Sequence, residues 1–204
     1  MAAGDVEHAI DALRSGRPVL LPTDTVYGLA ASAYQESYVE ELYRVKGRDQ
    51  LQPSALMAGS VDQLLECVPE LRGHAEPILR ALLPGGYTLV LPNPARRFRW
   101  LAGVRTDAIG VRVPDLPPAP RRVLDAVGCV ASTSANDPGG PDPATLEAVP
   151  ERIRALCAAE LDIGPLPGTP STVIDFTAAE PHVLREGAAP AAEAIARARA
   201  ALAG

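Results

Sequence analysis

The sequence has few aromatic residues and a negative net charge. Aromatic residues make up 4% of the 204 positions, too few for the stacking surfaces with which proteins bind single-stranded nucleic acid. The formal net charge is −6, whereas proteins that bind nucleic acid without sequence preference present a basic surface to the phosphates. Both observations argue against an RNA-binding module.

Long hydrophobic runs and a secretory signal are also absent. The sequence contains no run of about 18 apolar residues, the length needed to cross a membrane. The first eleven residues contain acidic side chains and lack the basic and hydrophobic regions of a signal peptide. The three cysteines, Cys67, Cys129 and Cys157, are far apart in the chain. We therefore expect reduced thiols, no membrane partner and a cytoplasmic location.

The common catalytic motifs are missing as well. The chain contains neither the glycine-rich Walker signature nor the dinucleotide-binding signature, and it lacks the nucleophile elbow of α/β-hydrolases. His8, His74 and His182 are isolated, and no cysteine or histidine pair has the spacing of a metal site. A zinc site and a Ser-His-Asp hydrolase are therefore not expected.

Strand patterns alternate with helix patterns along the chain, which is typical of an α/β fold. We expect one domain, residues 1–204, with a twisted mixed β-sheet flanked by helices. The predicted helices are 5–15 (with Asp5 as N-cap), 36–45, 61–67, 75–83, 118–127, one or two within 144–156, and 191–202. The predicted strands are 18–22, 54–58, 87–91, 109–113, 129–132, 161–163, 171–176 and 182–184. Residues 23–28 are predicted to form a polar loop, and the Gly/Pro-rich residues 137–143 a loop at the functional site.

Polar clusters follow several of the predicted strands and one helix. They consist of hydroxyl, amide, arginine and lysine side chains, the groups that bind carboxylate and phosphate oxygens. No strong general base is among them, so such a site would act by positioning and charge stabilisation. The clusters are Thr23–Gly28, Lys46–Arg48, Arg112, Ser132–Asn136, Ser171–Asp175 and Arg185–Gly187.

Each cluster also has a purely structural interpretation. Residues 23–25 could form a plain turn, and 132–136 could cap a helix. Arg112 could face solvent on an edge strand, and Lys46 with Arg48 could form a solvated helix end. The residues alone leave these alternatives open.

Lysine occurs only once, at position 46, while 18 of the 19 basic residues are arginine. A position that keeps lysine in such a chain is expected to need a compact ammonium rather than a planar guanidinium. A solvated or cleft-facing lysine would add little to the stability of the fold.

Taken in order, the clusters resemble the YrdC/Sua5 family of L-threonylcarbamoyladenylate synthases. The resemblance covers about residues 6–187. It rests on PTDTVYGLA (22–30), KGR (46–48), LPGGYTLVL (83–91), IGVRVPD (109–115), STSAN (132–136) and STVID (171–175). It implies a YrdC-like (RibB-like) α/β fold with a concave, positively lined cleft.

The resemblance also implies a reaction. L-threonine, bicarbonate and ATP would give threonylcarbamoyl-AMP and pyrophosphate, with Mg²⁺ held largely by phosphate oxygens and waters. The product would pass to the proteins that complete the t6A modification of tRNA; weak RNA binding is left open. The implied catalytic residues are Lys46, Arg48, Ser134 and Asn136. The implied threonine site contains Thr25, Arg112, Ser132 and Thr172, and the implied ATP site contains Lys46, Arg48, Gln52, Ser134, Asn136, Ser171 and Arg185.

The sequence departs from the family pattern at two places. Gln52 stands before Pro53 where the family usually has a second lysine, so one phosphate contact would lose its charge. The family's Pro-Gly-Pro turn is replaced by Pro84, Gly85 and Gly86, a more flexible connection. Besides an RNA-binding module, the alternative is a carbamoyl-adenylate-forming enzyme with another acceptor, as in hydrogenase maturation proteins.

Overall fold

The computed structural model describes residues 3–203. This part of the chain contains seven α-helices and nine β-strands. The helices are α1 (Ala3–Arg14), α2 (Glu36–Lys46), α3 (Val61–Cys67), α4 (Ala75–Leu82), α5 (Pro118–Val127), α6 (Glu151–Arg154) and α7 (Ala191–Ala203). The strands are β1 (Val19–Pro22), β2 (Tyr27–Ser32), β3 (Ala55–Met57), β4 (Tyr87–Pro92), β5 (Ala108–Arg112), β6 (Val130–Ser134), β7 (Ala159–Glu160), β8 (Thr172–Asp175) and β9 (His182–Arg185). Within this range no helix has the length and apolar character needed to cross a membrane.

All nine strands belong to one mixed sheet in the order β7-β1-β2-β6-β3-β5-β4-β8-β9. Parallel pairs join β7 to β1, β3 to β5 and β4 to β8, and the other neighbours are antiparallel. The mixed α/β architecture expected from the sequence is confirmed.

One face of the sheet is covered by helices along most of its width. Alternate strand residues such as Leu29, Leu56, Leu89 and Val111 are fully buried there, as the period of two in a strand requires. They pack against the apolar sides of α2, α3, α4 and α7 in a single core.

The opposite face is covered on only one side. There α1 and α5 pack together over Val19 and Leu21 of β1, Met57 of β3 and Val130 of β6. Further along this face the strands present small or polar side chains in place of large apolar ones. This uncovered part of the sheet forms the floor of a cleft.

The structure corrects several predicted element boundaries. α1 already includes Ala3, so Asp5 lies in its first turn rather than at the N-cap. Residues 27–32 form β2, whereas 23–28 were predicted as loop; the small residues of this strand hide its pattern. Within 144–156 only Glu151–Arg154 is helical. The short strand predicted at 161–163 lies instead at Ala159–Glu160.

Candidate functional site

A cleft of about 630 Å³ opens over the uncovered face of the sheet. This volume is in the range, about 300–1,000 Å³, of small-molecule sites. A row of paired residues crosses four neighbouring strands on its floor: Ser132, Ala55, Gly110 and Val90. Because these side chains are small, the sheet itself leaves the space that a ligand would fill.

The lining of the cleft is strongly basic. Five cationic side chains line it, against the single carboxylate of Asp142; they are Lys46, Arg48, Arg105, Arg112 and Arg185. Two of the five have a carboxylate partner: Arg105 pairs with Asp175 and Arg112 with Asp24. Within residues 3–203, the other three have no carboxylate within 4.0 Å. A protein with a net charge of −6 thus gathers unneutralised positive charge in one place, as an anionic ligand requires.

Most of the predicted site residues meet in this cleft. Nine of the eleven line it: Lys46, Arg48, Gln52, Arg112, Ser132, Ser134, Asn136, Ser171 and Arg185. The other two, Thr25 and Thr172, are 1% and 0% exposed and lie behind its wall.

Lys46 joins the end of α2 to the loop after β6. Its ammonium nitrogen donates to Ser134 O over 2.6 Å, to Asn136 O over 2.5 Å and to Asn136 Oδ1. An ammonium has three protons, so each is matched by one acceptor of the protein. Gly47 follows at a φ of 68° and ends the helix there.

Burial distinguishes Lys46 from a solvated helix end. The residue is 3% exposed. Burial, with a smaller contribution from the charge of Arg48, lowers the pKa of Lys46 from 10.5 to about 8. Because its three hydrogen bonds are buried, we expect this lysine to affect the stability of the fold, contrary to the expectation from the sequence; the melting of Lys46 variants tests this.

Asn136 is the centre of the loop after β6. Its Oδ1 accepts from Ser134 Oγ over 2.7 Å as well as from Lys46, and its Nδ2 donates to Gly140 O over 2.6 Å. No helix follows this segment, since residues 135–143 contain only bends, one turn and irregular backbone. The helix-cap interpretation of 132–136 is therefore wrong; the side chains fix a loop at the cleft.

Arg48 and Gln52 lie together on one rim of the cleft. Arg48 Nε donates to Gln52 Oε1, and Arg48 Nη1 donates to Thr133 Oγ1, both over 2.9 Å. The guanidinium is thereby held beside β6 without a carboxylate partner. Gln52 acts here as an acceptor that orients Arg48.

The Arg112 guanidinium has hydrogen-bond partners at Nη2 but none at Nε among the described residues. Its Nη2 donates to Asp24 Oδ1 over 2.5 Å and to Thr25 Oγ1 over 2.6 Å. Burial lowers the pKa of Arg112, and the Asp24 charge opposes this shift. Its Nε is buried without any partner in residues 3–203. An unpaired buried N–H is costly, so Nε is a polar group that the described residues leave unsatisfied. Arg112 is 8% exposed, which excludes the solvated edge-strand interpretation.

Ser171 and Arg185 close the far side of the cleft. Arg185 Nη2 donates to Ser171 O over 2.8 Å, and Ser171 Oγ lies 2.8 Å from Thr88 Oγ1. This approach of the two segments requires Gly187, since a Cβ there would lie 2.2 Å from Pro170 O. The Thr172 hydroxyl is occupied with Ala189 O and Gly187 N, so Thr172 fixes this crossing rather than facing the cleft.

Two charged residues of the site were missed by the sequence reasoning. Asp24 lies inside a matched motif, but its pairing with Arg112 joins positions 88 residues apart. Arg105 lies in no motif. Their roles depend on long-range contacts that no local pattern reports.

Metal ligands are scarce at this site. Among the described residues, no group of three or more His, Cys, Asp or Glu side chains could hold a metal ion. The protein side chains do not fit a dedicated Mg²⁺ site.

A family model described as Sua5/YciO/YrdC, telomere recombination, matches residues 11–187. A putative threonylcarbamoyl-AMP synthase of Mycobacterium tuberculosis is 35% identical over 180 residues, which cover 88% of this chain and 82% of the relative.

Two solved structures have the same fold. Pyrococcus abyssi Sua5 complexed with L-threonine superposes with a TM-score of 0.84 and 32% identity over 94% of this chain. The match spans only 56% of that Sua5 chain. Escherichia coli YciO superposes with a TM-score of 0.79 and 26% identity, and the match covers 91% of this chain and 90% of YciO.

Proposed function

This chain belongs to the Sua5/YciO/YrdC family, and we propose that it is a threonylcarbamoyl-AMP synthase. It is a nucleotidyltransferase that uses L-threonine, bicarbonate and ATP, and its product serves the t6A modification of tRNA. The observation that carries the proposal is the cleft itself, where three cations without a carboxylate partner in the described residues and the guanidinium of Arg112 line one space. Such a site fits two anions held together, a carboxylate and a triphosphate.

Arg112 is the residue we assign to the threonine carboxylate. Its guanidinium is already oriented by Asp24 and Thr25, and the residue lines the cleft. Ser132 lies across the floor row from Gly110, where its hydroxyl can meet the same amino acid. Thr25 orients Arg112 by accepting a hydrogen bond from it. Thr172 fixes the position of residues 187–189 through its hydroxyl.

The reaction needs positioning more than a strong base. The threonine amine and bicarbonate form a carbamate and release water. A carbamate oxygen then attacks the α-phosphorus of ATP; a new O–P bond forms, the bond to the β-phosphate breaks, and pyrophosphate leaves. Because the attacking carbamate is already an anion, the main barrier is the repulsion between two anions, which fixed cations and hydrogen-bond donors reduce.

Arg48, Ser171 and Arg185 are assigned to the triphosphate. Arg48 and Arg185 have no carboxylate partner within the described residues, so their charge is available to phosphate oxygens. Gln52 orients Arg48 and can also donate to phosphate.

Lys46, Ser134 and Asn136 act together. Their hydrogen bonds fix the loop after β6 beside the floor of the cleft, and the buried ammonium contributes positive charge there. Mg²⁺ would arrive with the nucleotide, since the protein side chains do not form a metal site, and we derive no step through it.

The wider assignments follow from this activity. We propose that the chain forms one domain over residues 1–204, acts in the cytoplasm and passes its product to the proteins that complete t6A. The concave basic cleft leaves RNA binding as the second candidate function. An enzyme with another carbamoyl acceptor is the third.

The test is pyrophosphate release with ATP and bicarbonate, with different amino acids supplied. We expect release with threonine and weaker release with serine, since one missing methyl costs only about 1–3 kcal/mol. Equal release with glycine, or without any amino acid, would assign another acceptor. Salt-dependent RNA affinity without ATP consumption would support the RNA-binding candidate.

A further inference from the structure

Arg105 is a cleft-lining arginine that lies outside every matched motif. It is located between a short 3₁₀ helix (Arg99–Leu101) and β5. Its backbone N donates to Ala102 O and its backbone O accepts from Ala108 N, at 3.2 and 3.0 Å. The loop that carries this side chain is therefore held by its own hydrogen bonds.

Two contacts orient the Arg105 guanidinium. Nη1 donates to Asp175 Oδ2 over 2.7 Å, and Nη2 donates to Thr177 Oγ1 over 2.8 Å. Asp175 is 6% exposed, and its second oxygen accepts from the Thr177 N–H and hydroxyl. Burial opposes ionisation of Asp175, but the hydrogen bonds from Thr177 and Arg105 outweigh it and lower its pKa. The guanidinium is thus fixed by an ionised, well-bonded carboxylate.

This anchoring leaves most of the guanidinium available. An arginine has five N–H donors, and the contacts described use two of them. The side chain remains 49% exposed, although one end is attached to a buried aspartate. A purely structural ion pair would gain nothing from facing a cleft that already holds four other cations.

The position of Arg105 in the sheet indicates what it would bind. Arg112 ends β5, whereas Arg105 precedes its first residue, Ala108. Four residues of extended strand separate Ala108 from Arg112 by about 13 Å. Asp175 is paired with Val90, the last residue of the floor row that begins at Ser132. A threonine carboxylate at Arg112, and the α-phosphate beside it, would therefore lie well away from Arg105.

The neighbouring rim carries the cation assigned to the triphosphate. Ser54 N donates to Leu101 O over 2.9 Å, and a Cβ on Gly103 would lie 2.3 Å from Leu51 O. The segment before Arg105 thus packs directly on the segment that carries Gln52, the partner of Arg48.

We propose that Arg105 binds the terminal phosphates of ATP, those that leave as pyrophosphate. The inference rests on the proposed function. The negative charge that develops as the α-phosphorus–oxygen bond breaks gathers on the bridging oxygen of the leaving pyrophosphate, so a contact at its far, γ-phosphate end chiefly strengthens substrate binding and changes the barrier of the chemical step little.

The experiment compares Arg105→Ala with wild type and with Arg97→Ala. Arg97 is a matched control, because it is 46% exposed and pairs with Glu70 outside the cleft. We expect Arg105→Ala to raise the KM for ATP about tenfold, as loss of a charged hydrogen bond implies, with kcat and the KM for threonine unchanged. Arg105→Lys should restore part of the affinity, and Arg97→Ala should match wild type.

Calorimetry with two probes tests which phosphates are bound. Arg105→Ala should weaken the binding of inorganic pyrophosphate and leave AMP binding unchanged. A KM for ATP and a pyrophosphate affinity equal to wild type, or a loss of AMP affinity instead, would overturn the assignment. A lower melting temperature with unchanged ATP affinity would reduce Arg105 to a structural ion pair. If the wild-type protein releases no threonine-dependent pyrophosphate, the proposed function fails first, and the calorimetric comparison still decides on Arg105.

Discussion

The Lys46 ammonium contacts Asn136 twice, once at the backbone carbonyl over 2.5 Å and once at the side-chain carbonyl. This double contact joins the end of α2 to a loop 90 residues away. The acceptors converge on a point, so the compact shape of the ammonium matters as much as its charge.

Replacement of Lys46 by arginine should therefore abolish most activity. We expect threonine-dependent pyrophosphate release to fall about 100-fold, because a planar guanidinium displaces the loop that carries Ser134 and Asn136. Lys46→Met should also be inactive and should unfold more easily by about 1–3 kcal/mol, since it leaves buried acceptors unpaired. The measurements are turnover and thermal melting. Arg48→Lys is the control, a cation exchange at a more exposed position with a smaller loss. Full activity of Lys46→Arg would contradict the prediction.

The lowered pKa of Lys46 predicts two opposite effects of alkaline pH. Between about pH 8, the native value, and 10.5, the ordinary one, the unfolded chain keeps this proton while the native chain has lost it. The contribution of Lys46 to the free energy of unfolding therefore increases with pH across that window. Affinity for ATP should decrease around pH 8, where the native Lys46 loses its proton, because the cleft then loses a positive charge. Calorimetric titration with ATP at several pH values tests this; Lys46→Met should show no such decrease, and an equal decrease in that variant would refute the assignment.

The carboxylate of bound threonine should partly replace the Asp24 carboxylate as the partner of Arg112. Asp24→Asn removes the carboxylate partner of Arg112, whose side chain is 9% exposed, and should lower the free energy of unfolding by about 3 kcal/mol. Bound threonine supplies a new carboxylate, so added threonine should raise the melting temperature more in the variant than in wild type. Melting curves with and without threonine measure both effects. Equal threonine-induced shifts in the two proteins would show that the substrate carboxylate does not reach Arg112.

Gly110 offers a steric test of the cleft floor. A Cβ at this position would lie 3.9 Å from its nearest neighbour, Ala55 Cα, so Gly110→Ala should fold normally and keep much of its activity. Gly110→Val should fold as well but project into the ligand space, with turnover reduced about 100-fold. Melting curves and threonine-dependent turnover of the two variants decide the matter. Retained activity of the valine variant would place the ligand elsewhere.

The sequence predicted the mixed sheet and most of its elements because periodicity reports which strand faces are buried. It missed β2 since Gly28, Ala30 and Ala31 give no strong strand pattern. It predicted which segments carry the site, but not which hydroxyls face the cleft. Thr172 and Ser171 are adjacent, yet only Ser171 lines the space, because neighbouring residues of an extended chain point to opposite sides.

The pairings of charged residues could not be predicted. The family resemblance implies a carboxylate-binding role for Arg112, but the pairings of Arg112 with Asp24 and of Arg105 with Asp175 depend on how distant segments meet in the folded sheet. The burial of Lys46, which the sequence left open, depends on the same kind of long-range contact. A lysine at a helix end is usually solvated; here the loop after β6 covers it.

The residues that line the cleft are spread along the chain from Thr23 to Arg185. Their order determines when the site can form during synthesis on the ribosome. β8 pairs with β4 across more than 80 intervening positions, so one wall is absent until the last strands have been synthesised. Until then neither threonine nor ATP would find a complete site. These ligands therefore could not act as folding aids for the nascent chain, whose early segments must be stabilised by the apolar core alone.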